Sequence, residues 1–395
     1  MKKVLVVNAG SSTIKWKLFT KDNLDVLAEG VADRIFVDGL IETKFNGKKH
    51  KRDVSLNSHI EASKEIVKDL ETLKIIDNIS DVQNIGYRVV QGGTVFYQSI
   101  VLDEKAINII EDFSPLAPLH NPGAVQAIKA FSSIFKDAIG TATFDTAFHT
   151  TISEVNSTYP IEQKLAKELK IKKYGMHGTS HKFITQKLEK ILGKDKVTFV
   201  NLHIGNGASI CAIKDSRSID TSMGMSPLAG IMMGTRSGDI DPSIHAYVYK
   251  QKGIKPEEFE RILNKDSGLK GVSSISQDMR DILEEIEKGN KQAIFTLDLY
   301  CQKIIDYTSI YLNKIGGKSD AIVFTAGVGE NGSLMRKKVI DGLNILGIEI
   351  DDERNKKRNE DVILISSNSS KVPVYVIATD EEIMIARDNL EIANN

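Results

Sequence analysis

The chain has 395 residues, of which 41% are hydrophobic and 27% charged, and its 52 basic and 53 acidic residues leave a formal net charge of −1. This length accommodates two domains with substantial cores, and the balanced charge excludes the basic surface of a general nucleic-acid or membrane binder. Because there are only two cysteines, Cys211 and Cys301, we expect no disulfide framework and a cytoplasmic location.

Three short apolar runs each lead into a turn of small polar residues, as buried strands do where they leave a sheet. The run and the turn are, in each case, 4–7 with Asn8–Thr13, 197–202 with His203–Ser209, and 321–324 with Thr325–Asn331. Alternating residues resume after the first two turns, which predicts β-hairpins and not the strand-to-helix step of a Rossmann or Walker site. We therefore expect one supersecondary unit to occur twice, once in each half of the chain. The first run is too short for a signal peptide, and no later segment has the length of a membrane span.

Helical periodicity falls between these strands. The apolar stripes are Ile60, Ile66, Val67, Leu70 and Leu73; Phe183, Ile184 and Leu188; and Leu297, Cys301, Ile304, Thr308 and Tyr311. Ser58 and Ser180 stand where the N-caps of the first two helices would lie. The alternation of strands and amphipathic helices predicts α/β layers in which helices cover mixed sheets.

The three turns have the composition of phosphate-binding loops. Glycine allows close approach to backbone amides, and the hydroxyls of Asn8–Thr13 add donors, with Lys15 extending the positive field. A single glycine–serine turn is more often an ordinary hairpin. The second turn adds Asn206 and Gly207, and the third, with Asn331, leaves room for a flat heterocycle or a ribose. Together they suit a nucleotide.

The segment 220–242 packs small residues around Arg236 with neither helical nor strand periodicity. Such a loop can wrap around an anion, with the guanidinium donating to a phosphate or a carboxylate. Asp239 and Asp241 would then hold the arginine or reach a metal. The alternative is a solvated loop whose arginine pairs with its own aspartates.

Arg88 and a histidine pair are the other candidate functional residues. Arg88 lies inside an apolar, strand-like run, where it requires a buried carboxylate or a bound anion. His177 and His181 have the spacing of a zinc pair, but Gly178 between them and Ser180 as a candidate cap disfavour a metal-binding helix. We expect His177 to donate to an anionic group and His181 to cap a helix or pack in the core.

Nine segments, followed by Thr379–Glu382 near the C-terminus, form a pattern that spans nearly the whole chain. They are Asn8–Ser12, Arg88–Val90, Leu116–Pro122, Phe144–His149, His177–His181, His203–Ser209, Asp220–Pro242, Ser267–Arg280 and Phe324–Asn331. With Met233–Pro242 as the most specific part, this pattern resembles the acetate kinases, the acetokinase family of the acetate and sugar kinase/Hsp70/actin superfamily.

The resemblance implies an α/β fold of two lobes, built on a duplicated ribonuclease-H-like core as in actin-like ATPases. It implies an N-terminal lobe over 1–150, on which a C-terminal helix of about 383–395 packs back, and a C-terminal nucleotide-binding lobe over 151–382. It also implies a homodimer.

Four catalytic residues follow from the resemblance. Arg88 and Arg236 would hold the carboxylate of the acyl group and the phosphoryl group in transfer. His177 would donate to that phosphoryl group in the transition state, and Asp145 would align the reacting groups and help to organise magnesium. A carboxylate nucleophile such as acetate needs no base at neutral pH, so positioning and charge neutralisation suffice.

The resemblance also implies positions for the metal and the nucleotide. Asn8 and Glu381 would place Mg²⁺ (or Mn²⁺), mostly through water. ATP or ADP would contact Ser12, Lys15, His203, Ile204, Gly205, Asn206, Gly207, Asp278, Met279, Arg280, Gly327, Val328, Gly329, Glu330 and Asn331.

The methyl group of acetate would lie in an apolar pocket of Val90, Leu119, Met176 and Pro227. Acetate kinases usually carry phenylalanine where this chain has Met176, and methionine is flexible enough to admit one more methylene. Because one methylene is worth only about 1–3 kcal/mol, propionate becomes a credible second substrate. The family also usually has histidine where this chain has Gln91.

The sequence thus predicts an ATP-dependent acetate kinase that interconverts acetate and acetyl phosphate. The alternatives are a propionate kinase and, outside the enzymes, a nucleotide-binding module that closes around ATP without an acceptor. Two arginines with His177 favour an enzyme, because a chaperone-like module has no use for a carboxylate clamp. A sugar kinase is disfavoured, since it requires an aspartate base and polar residues that read hydroxyl groups.

Overall fold

The chain divides into two compact units. A computed structural model describes residues 2–118 and 120–393. Residues up to Phe148, together with those from Asp380 onward, form the first unit, and His149–Thr379 form the second. Among the described helices, none is long and apolar enough to cross a membrane.

The described residues form strands and helices in the following order. The strands are β1 (Lys3–Ala9), β2 (Ile14–Thr20), β3 (Val26–Asp33), β4 (Leu40–Phe45), β5 (Lys48–Asp53), β6 (Val82–Val89), β7 (Ile100–Val101), β8 (Ile139–Phe144), β9 (Phe199–Ile204), β10 (Ala208–Lys214), β11 (Arg217–Thr221), β12 (Ala321–Thr325), β13 (Val362–Leu364) and β14 (Val374–Ile377). The α-helices are α1 (His59–Thr72), α2 (Glu104–Asp112), α3 (Asn121–Ile134), α4 (Glu154–Ser157), α5 (Gln163–Glu168), α6 (Gly178–Leu192), α7 (Ser243–Lys252), α8 (Pro256–Lys265), α9 (Gly268–Ser273), α10 (Met279–Glu287), α11 (Lys291–Lys314), α12 (Ala326–Asn331), α13 (Ser333–Asp341), α14 (Asp352–Lys356) and α15 (Glu381–Ala393). Short 3₁₀ helices occupy Ile79–Asp81, Ser114–Leu116, Ala147–Thr151 and Asn344–Leu346.

In the first unit, one sheet has the strand order β5-β4-β3-β2-β1-β6-β8-β7. Strands β1 to β5 form antiparallel neighbours, whereas β6 runs parallel to β1 and β8 parallel to β6. The apolar run of β1 is buried on both faces, because Leu5 and Val7 join the core that includes α1 and α3, while Val4 and Val6 pack against α15. A strand covered on both sides has no polar alternation, which is why this run reads as continuously hydrophobic.

In the second unit, the described strands form a sheet of order β11-β10-β9-β12-β14-β13. Strands β9, β10 and β11 are antiparallel neighbours, and β12 and β14 continue the sheet parallel to β9. The stripe predicted along α11 is confirmed, since its five residues are all buried.

The two sheets repeat one topology. The order β3-β2-β1-β6-β8 in the first unit has the same strand directions as β11-β10-β9-β12-β14 in the second. Both predicted hairpins are confirmed, because Ala9 pairs with Ile14 and Ile204 pairs with Ala208 across their turns. The chain therefore has the predicted two-domain, duplicated ribonuclease-H-like architecture of actin-like ATPases.

Of the two predicted N-caps, the one at Ser58 is confirmed and the one at Ser180 is wrong. Ser58 precedes α1, and its hydroxyl accepts a hydrogen bond from the Glu61 amide at 3.1 Å. Ser180, by contrast, lies within α6, and the N-cap position belongs to His177. The Ser180 hydroxyl bonds the His203 ring instead of a backbone amide, so the side chain that made it a plausible cap is used elsewhere.

The third predicted turn is also wrong in its local structure. Ala326–Asn331 is the short helix α12, which follows β12 directly. The Glu330 side chain accepts hydrogen bonds from the amides of Ala326, at 2.9 Å, and Thr379, at 3.1 Å. A carboxylate that bonds amides at the N-terminal end of a helix stabilises it, and glycine content alone did not reveal this bond.

We predict that Gly86→Ala destabilises the protein by disturbing the packing of α15 against the first sheet. A Cβ at Gly86 would lie 2.6 Å from Cγ2 of Ile385, whereas a Cβ at Gly140, on the neighbouring strand, would find its nearest atom at 3.5 Å. Overpacking of this kind costs about 1–3 kcal/mol. Urea unfolding should show that loss for Gly86→Ala and little change for the matched control Gly140→Ala; equal losses would contradict the close packing of this helix.

Candidate active site

Three parallel strands of the first unit bring polar residues to one edge of the sheet. Asn8 lies near the end of β1, Arg88 near the end of β6, and Asp145 directly after β8. Because β1, β6 and β8 are parallel neighbours, their carboxyl ends meet at the same edge. This is where α/β sheets usually bind ligands.

Arg88 and Asp145 form a bidentate ion pair. Arg88 Nε lies 3.0 Å from Oδ1 of Asp145, and Nη2 lies 2.7 Å from Oδ2. Asp145 is only 1% exposed, while the Arg88 side chain retains 20% exposure. Burial by itself lowers the pKa of Arg88, but the negative charges of Asp145 and Glu381 outweigh it and raise that pKa. The predicted need of Arg88 for a buried carboxylate is confirmed.

Glu381, the first residue of α15, is the second carboxylate beside Arg88. Its Oε2 lies 3.7 Å from Arg88 Nε. Burial raises the pKa of Glu381 to about 7; the charges of Asp145, Glu382 and Asp380 act in the same direction and Arg88 acts against them. A carboxyl group with such a pKa lies in surroundings that are short of positive charge.

Lys17 completes this group of charges. Its Nζ lies 3.6 Å from Asp380 and 3.5 Å from Glu382. Four carboxylates, those of Asp145, Asp380, Glu381 and Glu382, thus share two cations, Lys17 and Arg88. We call these six side chains the carboxylate cluster. Its net charge is negative when all of them are ionised.

The first glycine–serine turn is braced from behind. The Gly10 amide donates to the Thr13 carbonyl at 2.8 Å, and His59 Nε2 lies 2.7 Å from the Gly10 carbonyl. Ser12 and Lys15, both predicted to contact the nucleotide, are exposed. The turn therefore has a fixed backbone and presents these two side chains to solvent.

In the second unit, Arg236 and His177 lie beside the second glycine turn. The Gly234 amide donates to the Asn206 carbonyl at 3.0 Å, which joins this turn to the arginine loop. A Cβ on Gly207 would lie 3.3 Å from Arg236 Nη1 and 3.6 Å from His177 Nε2. The structure thus brings together two cationic or donor side chains and the backbone of a glycine turn, as the sequence predicted for an anion site.

Asp239 and Asp241 brace the arginine loop through other groups. Asp239 Oδ1 accepts a hydrogen bond from the Gly230 amide at 2.8 Å, and its Oδ2 accepts one from the Tyr307 hydroxyl of α11. Asp241 accepts a hydrogen bond from the Ser243 amide at 2.8 Å. These contacts tie the loop to α11 and to the start of α7.

The predicted acyl-pocket residues fall in both units. Val90 in the first unit is buried, and Leu119 lies outside the described residues. In the second unit Met176 is 1% exposed, and the Pro227 carbonyl lies 3.4 Å from Arg236 Nη1. Pro227 belongs to the arginine loop itself and Met176 lies in the core, and their contact with an acyl group stays a prediction.

Gln91 has a clear structural role. Its side chain accepts a hydrogen bond from the Gly93 amide at 2.9 Å, and its backbone exchanges two bonds with the Asn121 side chain, at 3.1 and 3.0 Å. This fully buried glutamine thus shapes the loop that follows β6.

The predicted adenosine residues occupy two helix ends. Asp278 is the N-cap of α10, where hydrogen bonds from the Arg280 side chain and amide lower its pKa to about 2. Met279 is buried and Arg280 largely exposed. Gly327 has open space where a side chain would stand, so the surface of α12 there is bare backbone.

The chain matches the model of the acetokinase family over residues 3–387. It is 54% identical over 387 residues to the acetate kinase of Mycoplasmopsis pulmonis, with 98% of each chain covered. The chain belongs to the acetokinase family. Among solved structures, the acetate kinase of Porphyromonas gingivalis superimposes with a TM-score of 0.94 at 36% identity over the full length of both chains. A propionate kinase from Francisella tularensis gives the same TM-score and identity over 99% and 100% of the two chains. The chain is therefore a kinase.

Sequence reasoning missed Arg336, a buried arginine that supports α12. Its fully buried guanidinium donates to the carbonyls of Gly329 and Glu330, both at 2.8 Å, and to the side chain and carbonyl of Asn355. Because burial disfavours the charged form and the positive charge of Arg358 acts in the same direction, the pKa of Arg336 falls to about 10. Arg336 thus holds the C-terminal end of α12. The available signal was that Arg336 has helical spacing with Val339 and Ile340, which places it on the apolar face of α13.

We predict a pH signature for Glu381 in protein freed of divalent cations. The raised pKa means that the folded state prefers the protonated carboxyl, so this group destabilises the fold as pH rises from the ordinary carboxyl range through about 7. Glu381→Gln removes the charge. Urea unfolding across this range should therefore show the variant gaining stability relative to the wild type as pH rises.

The acidic end of that series is the internal control, because Glu381 in the wild type and the glutamine in the variant are both uncharged there. A stability difference that stays constant with pH would contradict the burial of Glu381 among carboxylates.

Proposed function

We propose that this chain catalyses reversible phosphoryl transfer between ATP and acetate, giving acetyl phosphate and ADP, in the cytoplasm. The observation that carries the proposal is the placement of Arg236 and His177 against the glycine turn at Gly207. Two side-chain donors beside exposed backbone suit an anion that changes charge distribution during reaction. The match to relatives named acetate kinase supports acetate as the acceptor.

The chemistry requires little more than alignment. A carboxylate oxygen of acetate forms a bond to the γ-phosphorus of ATP, the bond from that phosphorus to the bridging oxygen breaks, and ADP leaves with the electron pair. We assign Arg236 and His177 to the transferring group, and Arg88, held by Asp145, to the acetate carboxylate. Since acetate is already ionised at neutral pH, no general base is required.

The nucleotide positions are part of the same proposal. The braced first turn, the turn at Gly207 and the bare backbone of Gly327 are supports for phosphates and a ribose. Arg336 would keep the last of these in place through the carbonyls of α12.

We further propose that the first unit holds Mg²⁺ (or Mn²⁺). The carboxylate cluster fits a divalent cation, because its acidic side chains outnumber its cations and the pKa of Glu381 is raised by burial. Among the described residues there is no group of three or more histidine, cysteine or carboxylate side chains able to ligate a metal directly. We propose that the ion is held by Asn8 and Glu381 through water, because Mg²⁺ keeps several of its water ligands when it binds proteins. When bound, the ion would neutralise phosphoryl charge.

The metal proposal predicts that Mg²⁺ stabilises the wild-type protein and has a clearly smaller effect on Glu381→Gln. Binding to the folded state raises the melting temperature in proportion to RT ln(1 + [L]/Kd), so a thermal shift series with Mg²⁺ in the absence of nucleotide measures it. Glu71→Gln, on the exposed side of α1, is the control and should respond as the wild type does. An identical shift in all three proteins would remove Glu381 from the metal site.

A propionate kinase is the second candidate, because Met176 replaces the phenylalanine usual in acetate kinases and a propionate kinase superimposes as closely as an acetate kinase.

We expect kcat/KM to fall from acetate to propionate to butyrate. Met176→Phe should sharpen the preference for acetate by up to about tenfold, since a rigid ring excludes the added methylene. The measurement traps each acyl phosphate as its hydroxamate.

A preference for propionate would transfer the proposal to the second candidate. Formation of no hydroxamate with any of the three acids would overturn both.

We also propose that the chain forms a homodimer. Helix α7 has no buried residue and exposes Tyr247 and Tyr249, which gives a second copy an aromatic surface to cover.

A further inference from the structure

We propose that a buried hydrogen-bond chain from Asn201 through His181 and Ser209 fixes His177 in the tautomer that carries its proton on Nε2. Asn201, His181 and Ser209 are then positioning residues for the kinase reaction. The inference rests on the proposed function, because it concerns the histidine that we assign to the transferring phosphoryl group.

The hydrogen-bond chain is continuous and lies within the second unit. Asn201 Nδ2 lies 2.8 Å from His181 Nδ1, His181 Nε2 lies 2.9 Å from Ser209 Oγ, and Ser209 Oγ lies 3.0 Å from His177 Nδ1. Asn201, His181 and Ser209 are fully buried. The first two steps are therefore buried, whereas the last step, between Ser209 and the half-buried His177, is partly buried.

The donor and acceptor atoms give the hydrogen-bond chain a direction. As the Asn201 side chain is oriented in this structure, its amide nitrogen faces His181 Nδ1 and donates to it, so a neutral His181 ring carries its proton on Nε2. Burial, reinforced by the neighbouring rings of His149 and His203, lowers the pKa of His181 well below its usual range, which keeps that ring neutral. His181 then donates to Ser209.

Ser209 determines the direction of the last hydrogen bond, the one to His177. A serine hydroxyl has one proton, and because its oxygen accepts from His181, that proton is donated to His177 Nδ1. A neutral His177 ring must then carry its own proton on Nε2. This is the atom that lies 3.6 Å from the Cβ position of Gly207, on the side where Arg236 Nη1 lies at 3.3 Å.

The ring plane of His177 is fixed as well. His177 has a left-handed backbone, with φ of +60°, at the N-cap of α6, and its ring stacks on His203 with centroids 4.2 Å apart. His203 is in turn held by the Ser180 hydroxyl at 2.8 Å. The hydrogen-bond chain thus sets the proton, and the stack sets the direction in which it points.

The tautomer matters because the opposite one would present a lone pair to an anion. An Nε2–H group donates to a phosphoryl oxygen, and loss of one such donor in an anion-stabilising site costs about 10²–10³ in kcat. A chain that begins at a buried amide gives His177 the donor form without a charge on the imidazole.

Asn201→Asp tests the direction, because a carboxylate only accepts. His181 would then donate from Nδ1 to Asp, accept at Nε2 from Ser209, and leave Ser209 to accept from His177 Nδ1. Two-bond ¹H–¹⁵N spectra of protein labelled at histidine, recorded well above the ordinary histidine pKa, distinguish the tautomers. The His177 signal is identified by its loss in His177→Gln.

We expect the Nε2–H form in the wild type and the Nδ1–H form in Asn201→Asp. The kcat of this variant should fall at least about tenfold, with KM for ATP and acetate nearly unchanged. Ser209→Ala should lower kcat and leave His177 as a mixture of tautomers, while Ser209→Thr, which keeps the hydroxyl, restores both. Ser63→Ala is the control, since this fully buried serine lies in α1 of the first unit, outside the hydrogen-bond chain.

A wild-type His177 in the Nδ1–H form would overturn the proposal, as would Asn201→Asp or Ser209→Ala variants that keep the Nε2–H form and full kcat. The Ser209 pair decides the question if Asn201→Asp fails to fold. The spectra remain decisive even if the wild type forms no acyl phosphate, so failure of the proposed function is distinguished from failure of this inference.

Discussion

The ion pair between Arg88 and Asp145 holds together the edge of the first sheet that carries the candidate site. Removal of one partner of a buried pair leaves an uncompensated charge, at a cost of about 3–5 kcal/mol. The pair joins the ends of β6 and β8, and it also supplies Glu381 with a cation, which connects the sheet to the first turn of α15. A guanidinium held on two sides keeps a fixed orientation, so the same contact stabilises the sheet edge and prepares an anion-binding group.

Duplication of the sheet gives two equivalent positions different chemistry. The turn after β1 carries serine hydroxyls, with Lys15 following in β2, whereas the turn after β9 carries Asn206 and Gly207. The strand next to each hairpin has Arg88 near its end in the first unit and leads into α12 in the second. A common topology thus fixes where side chains are delivered, while the residue types decide whether the edge becomes rich in carboxylates or in donors.

The sequence was sufficient wherever a feature depends on a local pattern. Hairpins, the cap at Ser58, the stripe of α11 and the need of Arg88 for a carboxylate all follow from neighbouring residues and the cost of burial. Ser180 and the glycine-rich segment after β12 were misjudged because their partners, His203 and Thr379, are distant in the chain. Arg336 was missed for the same reason, and the acid–base surroundings of Glu381 required knowledge of its three-dimensional neighbours.

The first unit is built from two stretches of the chain that are far apart in sequence, and this has a consequence for biosynthesis. Val4, Val6 and Phe19 bury one face of the sheet against Ile385 and Ala386, which the ribosome adds only after the whole second unit. During translation this face therefore remains uncovered, and an apolar surface of that kind invites chaperone binding or association between nascent chains. The second unit, whose residues are contiguous, is therefore fully synthesised before the last segment of the first unit.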